Sequence, residues 1–141
     1  MGKKRVKPET YEKFIDTLSL EEIRIVSLKA KVDDKFAPPA EVRIDDKMEF
    51  TKLKDNAFIV THEYILKCYQ KGKKKTGLEI AVTFQVKYRS DISIYEEIFD
   101  IFSQSSVPLH TWPYFRQLVH EITGRMGLPP LILDVLKVMT S

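Results

Sequence analysis

The chain is poor in the residues that mark specialised chemistry or a specialised compartment. One cysteine, Cys68, in 141 residues leaves no intramolecular disulfide to form and fits a reducing cytoplasm. No apolar run approaches the roughly 20 residues that a membrane-spanning helix needs. The opening MGKKRVKPETYEKF has basic residues with no apolar stretch or small-residue cleavage site behind them, so a secretory signal is not expected. Neither sign of charge dominates: 23 Lys and Arg against 20 Asp and Glu leave a formal +3, too little to argue for a polyanionic partner. The three histidines, His62, His110 and His120, lack metal-ligand spacing. His110 and His120 do not share a helical face, and His120-Glu121 has no second histidine four residues on. His62 and Cys68 share a strand face but lie roughly 20 Å apart by strand rise, so no metal is expected, and the histidines read as structural. With no Ser-His-Asp order, no P-loop and no Gly-rich dinucleotide turn, the sequence predicts neither an enzyme nor a cofactor.

What the chain has is the composition of one ordinary globular domain over residues 1–141, 43% hydrophobic and 30% charged. Residues 8–17 read as a short helical extension (1–19), with Pro8 at its start and Tyr11, Phe14, Ile15 and Leu18 at helical spacing. Segment 20–32 reads as a strand whose alternation changes phase between Ile25 and Val26, which either a bulge or burial on both faces produces. DDKFAPPAE is a loop by its prolines. Val42–Leu53 resumes a strand pattern through Val42, Ile44, Met48 and Phe50. Residues 57–70 and 78–89 are long strands around KGKKKTG, a predicted hairpin tip with Gly72 and Gly77. In the second, Leu78, Ile80, Val82, Phe84, Val86 and Tyr88 alternate with polar residues, as in a sheet with one covered and one wet face. Ile59, Ile65 and Tyr69 make the other face of strand 57–70 greasier than a solvated surface, and a neighbouring subunit is expected there.

After Asp91 the period becomes helical. SIYEEIFDIFSQ carries Ile94, Tyr95, Ile98, Phe99, Ile101 and Phe102, and Pro108 is expected to end it. A second helix is predicted from Pro113, where a first turn tolerates the missing N–H. Trp112, Phe115, Val119, Ile122 and Met126 draw its apolar stripe. Gly127 can stop that helix in the left-handed conformation, and Pro129-Pro130 forbid its restart. The apolar run Leu131-Ile132-Leu133 follows. The order predicts an α+β fold: a four-stranded antiparallel meander sheet (20–89) with helices packed on one face, the last of them in 94–141.

Three places in that order resemble the SecB chaperones. Phe36-Ala37-Pro38-Pro39-Ala40-Glu41-Val42-Arg43-Ile44-Asp45 is similar to the family's crossover after strand one. Trp112-Pro113-Tyr114-Phe115-Arg116 resembles its aromatic-Pro-Tyr-x-Arg helix opening. Gly127-Leu128-Pro129-Pro130-Leu131-x-Leu133 resembles its Gly-hydrophobic-Pro-x-Leu-x-Leu lid. The likeness spans about residues 11–136. The family pattern continues past the lid with a proline, an aromatic-bearing segment, a long helix and an acidic tail. Here Asp134-Val135-Leu136-Lys137 has no proline and the sequence stops at Ser141, so a truncated or missing final helix is expected.

The resemblance implies a SecB-like protomer that assembles as a dimer of dimers and acts as a cytoplasmic, ATP-independent holdase. Its clients would be unfolded or pre-export polypeptides, with the export motor SecA as a partner. Some diverged members instead guard an aggregation-prone antitoxin beside its toxin, and that alternative stays open. Candidate client-binding residues are Phe36 and Val42 at the crossover, Trp112 and Tyr114 at the helix start, Leu128, Leu131 and Leu133 in the lid, and Phe99 and Phe102. Phe115, Leu118, Val119, Ile122 and Met126 read as core or oligomer interface, since helical stripes usually bury. The lid leucines have a plain core reading beside the client one, and an oligomer contact competes for Trp112 and Tyr114. A nucleic-acid reading rests on Lys71, Lys73, Lys74 and Lys75 with Lys3, Lys4 and Arg5. It is disfavoured, because a charged tip is usually a solvated tip and Phe84 and Tyr88 sit on the apolar side of their strand, not interleaved with the charge.

Overall fold

The computed structural model describes residues 6–38, 40–70 and 72–134. Expectations placed on Lys3, Lys4, Arg5, Pro39, Lys71, Val135, Leu136 and Lys137 lie outside the described residues. The elements run α1 (Pro8–Asp16), β1 (Ser19–Val32), β2 (Ala40–Lys52), β3 (Ala57–Gln70), β4 (Thr76–Arg89), α2 (Glu96–Ser105) and α3 (Val107–Arg125). The strands form one antiparallel sheet in the order β1-β4-β3-β2. The meander therefore holds for β2, β3 and β4, while β1 crosses over to pair with β4 at the far edge, a Greek-key order. Crossing three strand spacings takes roughly 14 Å. The seven residues 33–39 reach that with chain to spare.

Local chemistry fixes each turn and irregularity. Asp55 and Asn56 both take φ +60°, and the Ala57 N–H closes the β2–β3 turn onto the Lys54 carbonyl at 3.2 Å. That is the twisted two-residue hairpin turn these residue types tolerate. The phase change in β1 is a bulge: its register with β4 slips between Ile25 and Ser27, and again between Leu20 and Glu22. Gly72, with φ +80°, belongs to the β3–β4 tip. Gly77 does not, because β4 starts at Thr76 and Gly77 is a strand residue whose role is described below.

All three helices pack on the face shown by Phe58, Val60, Leu66, Ile80, Val82 and Val86. The core falls into two clusters. In the first, α1 gives Phe14 and α2 gives Ile98, Phe99 and Phe102 to Phe58, Val86 and Tyr88. The rings of Phe14, Phe58, Tyr88 and Phe102 stack or meet edge-on at centroid distances of 5.0–6.0 Å. The second joins Tyr64, Leu66, Cys68, Ile80, Val82 and Phe84 to Phe115, Val119 and Leu133.

Two sequence expectations for the helices are corrected. Pro108 does not merely end α2; it occupies the first turn of α3, where its missing N–H is harmless. Pro113 consequently lies inside α3 instead of starting it. The helix tolerates this on an exposed turn, where the Leu109 carbonyl that loses its partner can face water. The inward stripe also differs: Val107, Thr111, Phe115, Val119 and Thr123, each four residues apart, are the buried positions of α3. Trp112, Leu118, Ile122 and Met126 pack half-buried at its flanks. At the C-terminus Gly127 takes φ +79°. Leu128 N–H bonds the Thr123 carbonyl and Gly127 N–H that of Gly124, both at 3.1 Å, a Schellman closure as the glycine predicts.

Candidate functional site

The segment after α3 doubles back along the helix and is fastened to it by side chains. The Thr123 hydroxyl accepts the Leu131 N–H at 2.8 Å, Arg116 Nε donates to the Leu133 carbonyl at 2.6 Å, and Trp112 Nε1 donates to the Asp134 carbonyl at 2.9 Å. The three donors and acceptors stand on successive parts of one helix, so an extended strap with no sheet partner has three of its backbone groups satisfied by side chains. Each bond adds on the order of 0.5–1.5 kcal/mol net. Leu133 turns inward and is 8% exposed, Leu128 and Leu131 pack half-buried on the same cluster, and Ile132 points out at 71%. A hollow of about 320 Å³ opens between strap and helix, lined by Pro113, Arg116, Gln117, His120, Ile132 and Leu133.

On the opposite flank of α3 the helices stop short of the sheet edge. Register with β4 puts Leu20, Ile23, Ile25, Leu28, Ala30 and Val32 of β1 on the helix-bearing side. Leu20, Ile25 and Leu28 are nevertheless 43–49% exposed. Between this edge and α3 runs an open groove of about 360 Å³, floored by Ile23, Ile25 and Phe84 and walled by Tyr114, Gln117, Leu118 and Glu121. The structure thus divides the predicted site. Trp112, Leu128, Leu131 and Leu133 gather at the strap, while Tyr114 and Leu118 belong to the β1 groove.

Phe36, on the crossover, lies over Gly77: a Cβ built there would run into the ring, with Cε1 and Cγ 3.0 Å away. Gly77 is glycine because an aromatic ring occupies the space of its side chain. Phe36 packs against the second cluster with Ala40 and Ile44, and Val42 of β2, paired with Cys68, is an exposed apolar residue nearby in sequence. Phe99 and Phe102 are separated from this group. They belong to the first cluster, with Phe102 fully buried and Phe99 against Phe50 at 4.6 Å, so neither ring lines a groove. Phe115 and Val119 are fully buried core, with Ile122 and Met126 half-buried beside them.

A buried polar chain ties α3 to the sheet. The Tyr64 hydroxyl meets Thr111 Oγ1 at 2.8 Å, Thr111 Oγ1 meets His62 Nδ1 at 3.0 Å, and His62 Nε2 meets Asp46 Oδ2 at 2.7 Å. With neutral His62 one direction satisfies every atom: Tyr64 donates to Thr111, Thr111 to His62, and His62 to Asp46. Burial lowers the His62 pKa, with the Asp46 hydrogen bond and charge acting the other way. Burial likewise raises Tyr64 and Tyr88 above the usual phenol range. It also lowers His110, whose Nδ1 meets the Tyr88 hydroxyl at 2.8 Å. Carboxylate, imidazole and hydroxyl in line is the arrangement of an activated nucleophile. Thr111 and His62 are fully buried, however, and no substrate reaches them. Cys68 is buried and its thiol is pushed up to about 11, so it is unreactive at neutral pH. Among the described residues no three His, Cys, Asp or Glu gather to hold a metal ion, and no helix is long and apolar enough to cross a membrane.

Sequence reasoning missed Arg116 and Thr123 as fasteners of the strap and Thr111 as a tie. The signal was the run of four-residue spacings through Thr111 and Thr123, which an apolar-only pattern skips.

The architecture, a four-stranded antiparallel sheet with three helices on one face and an extended strap behind the last, is the SecB-like fold. It superposes on the SecB-like chaperone Rv1957 of Mycobacterium tuberculosis, solved in complex with a ChAD peptide from the Rv1956 HigA1 antitoxin. The TM-score is 0.78 at 20% identity, covering 94% of this chain and 99% of that one. A protein of unknown function from Streptococcus agalactiae aligns at a TM-score of 0.46 and 9% identity, over 84% of this chain and 97% of that one. No protein-family model matches the sequence, and no curated protein matches it.

Proposed function

We propose that this chain is an ATP-independent holdase of the cytoplasm that keeps unfolded polypeptides from aggregating. The observation that carries the reading is the fold shared with a SecB-like chaperone over 94% of the chain. The grooves make it physically workable. The β1 groove is open and mainly apolar, and the strap hollow sets Pro113, Ile132 and Leu133 beside Arg116, Gln117 and His120. Scattered hydrophobic side chains of a client can thus each gain on the order of 1.5–3 kcal/mol on burial. Several such weak sites in series bind tightly through effective concentration. The free edge of β1, unpaired among the described residues, carries exposed apolar side chains and favours pairing with a second copy on the way to a dimer of dimers.

The narrower reading, a chaperone dedicated to an antitoxin, is favoured over SecA-dependent export by the partner in the Rv1957 complex. A neighbouring toxin–antitoxin pair, with the antitoxin soluble only when this chain is co-expressed, is the expected finding. The general reading is tested by light scattering. A denatured protein diluted into buffer without nucleotide should aggregate less when this chain is present at substoichiometric amounts. Unchanged aggregation overturns it.

A further inference from the structure

We infer that the hairpin-tip end of the crossover recognises acidic residues of the client, so that preferred segments carry Asp or Glu beside their apolar anchor. The inference rests on the holdase reading and names the class of segment it takes. Phe36 forms one wall of a hollow of about 220 Å³ whose other charged walls are Lys35, Lys73, Lys75 and Asp33. Three exposed lysines thus line the hollow with one acidic residue. Asp33 Oδ1 accepts the Lys35 backbone N–H at 3.3 Å, and its single negative charge leaves the lining with a net charge of about +2. No described residue forms an ion pair with any of the three lysines, whereas Lys31, one strand away, is neutralised by Glu79 at 3.5 Å.

Like charges converging on a small volume repel, and an anion entering between them relieves that repulsion. The Phe36 ring beside them, packed on the second core cluster, supplies an apolar face for the neighbouring client side chain. A sphere of 220 Å³ is roughly 7.5 Å across, two residues of an extended chain. The complementary segment therefore has an aromatic or aliphatic residue with Asp or Glu one or two positions away. A nucleic acid would meet the same lysines but only one ring, with no row of aromatics to stack its bases.

The test uses the full chain and three fluorescent peptides with one common Leu/Phe core, flanked by Glu, by Gln or by Lys. At low salt the Glu-flanked peptide should bind about three- to tenfold tighter than the Gln-flanked one, and the Lys-flanked peptide weaker still. The preference should shrink at 300 mM salt on screening (Debye length about 6 Å). In the Lys35→Gln, Lys73→Gln, Lys75→Gln triple variant the preference should vanish while the Gln-flanked peptide binds unchanged and the melting curve holds. Equal binding of Glu- and Lys-flanked peptides, or a preference that survives in the triple variant, overturns the inference. Displacement of the Glu-flanked peptide by a single-stranded oligonucleotide at concentrations below the peptide's own Kd also overturns it, in favour of a nucleic-acid site. Failure of all three peptides to bind, with client aggregation unsuppressed, removes the holdase reading itself. That result is distinct from binding without charge preference.

Discussion

With His62 neutral, Thr111 Oγ1 accepts a hydrogen bond from the Tyr64 hydroxyl and donates one to His62 Nδ1, so Thr111→Val strands two buried polar groups at once. A loss of about 2–4 kcal/mol in urea denaturation is expected, from roughly 1–3 kcal/mol per unsatisfied group; a loss below ~0.5 kcal/mol would contradict the chain of bonds. His62 and His110 both have pKa values lowered from 6.5 by burial. Their neutral forms are the native ones, and below about pH 6.5 the unfolded chain binds more protons than the folded chain. Their contribution to stability is therefore complete above that pH and is lost as pH falls through the lowered folded values. Imidazole proton shifts in NMR should show midpoints below 6.5 for both rings, and midpoints above it would reverse the sign. Gly77→Ala drives a Cβ into the Phe36 ring and should cost about 1–3 kcal/mol by overpacking.

The strap after α3 is fastened by three side-chain bonds and plugged by one leucine, and these have separable consequences. Leu133→Ser opens the second cluster and should destabilise the fold by about 2–4 kcal/mol. Leu131→Ser, at a half-buried position, should leave the fold intact and weaken client binding. If Leu131→Ser unfolds the chain, the strap is simply core. Much of this element was legible beforehand: Gly127 and the two prolines announce the helix stop, and β4 announces itself by unbroken alternation. The bulge in β1 was legible as a phase change, although only the register distinguishes it from burial on both faces. The start of α3 was not, because two prolines, Pro108 and Pro113, both fit a first turn and only tertiary packing chooses between them. Nor was the place of β1 in the sheet, since alternation says which face a residue takes and nothing about which strand lies beside it. The burial of Thr123 was legible in the four-residue spacing it shares with Thr111, but its role and that of Arg116 as fasteners were not, because their partners are backbone atoms of a segment with no periodicity of its own.

At the scale of the molecule, helices cover β3 and β4 and leave Leu20, Ile25 and Leu28 on the helix side of β1 exposed. A copy of the chain pairing there would bury Ile25 and Leu28, so Ile25→Lys with Leu28→Lys should convert an oligomer into a monomer in light scattering while the circular dichroism spectrum is kept. A wild-type monomer would remove the paired-groove assembly. The central claim, that an unfolded chain is held at the strap and grooves without nucleotide, has a built-in reporter. Trp112, the sole tryptophan, lies half-buried with its Nε1 on the strap carbonyl of Asp134. Titrating a tryptophan-free client, once kept unfolded and once folded, should change Trp112 emission saturably with the unfolded form alone. No change with the unfolded client, or the same change with the folded one, would contradict the account.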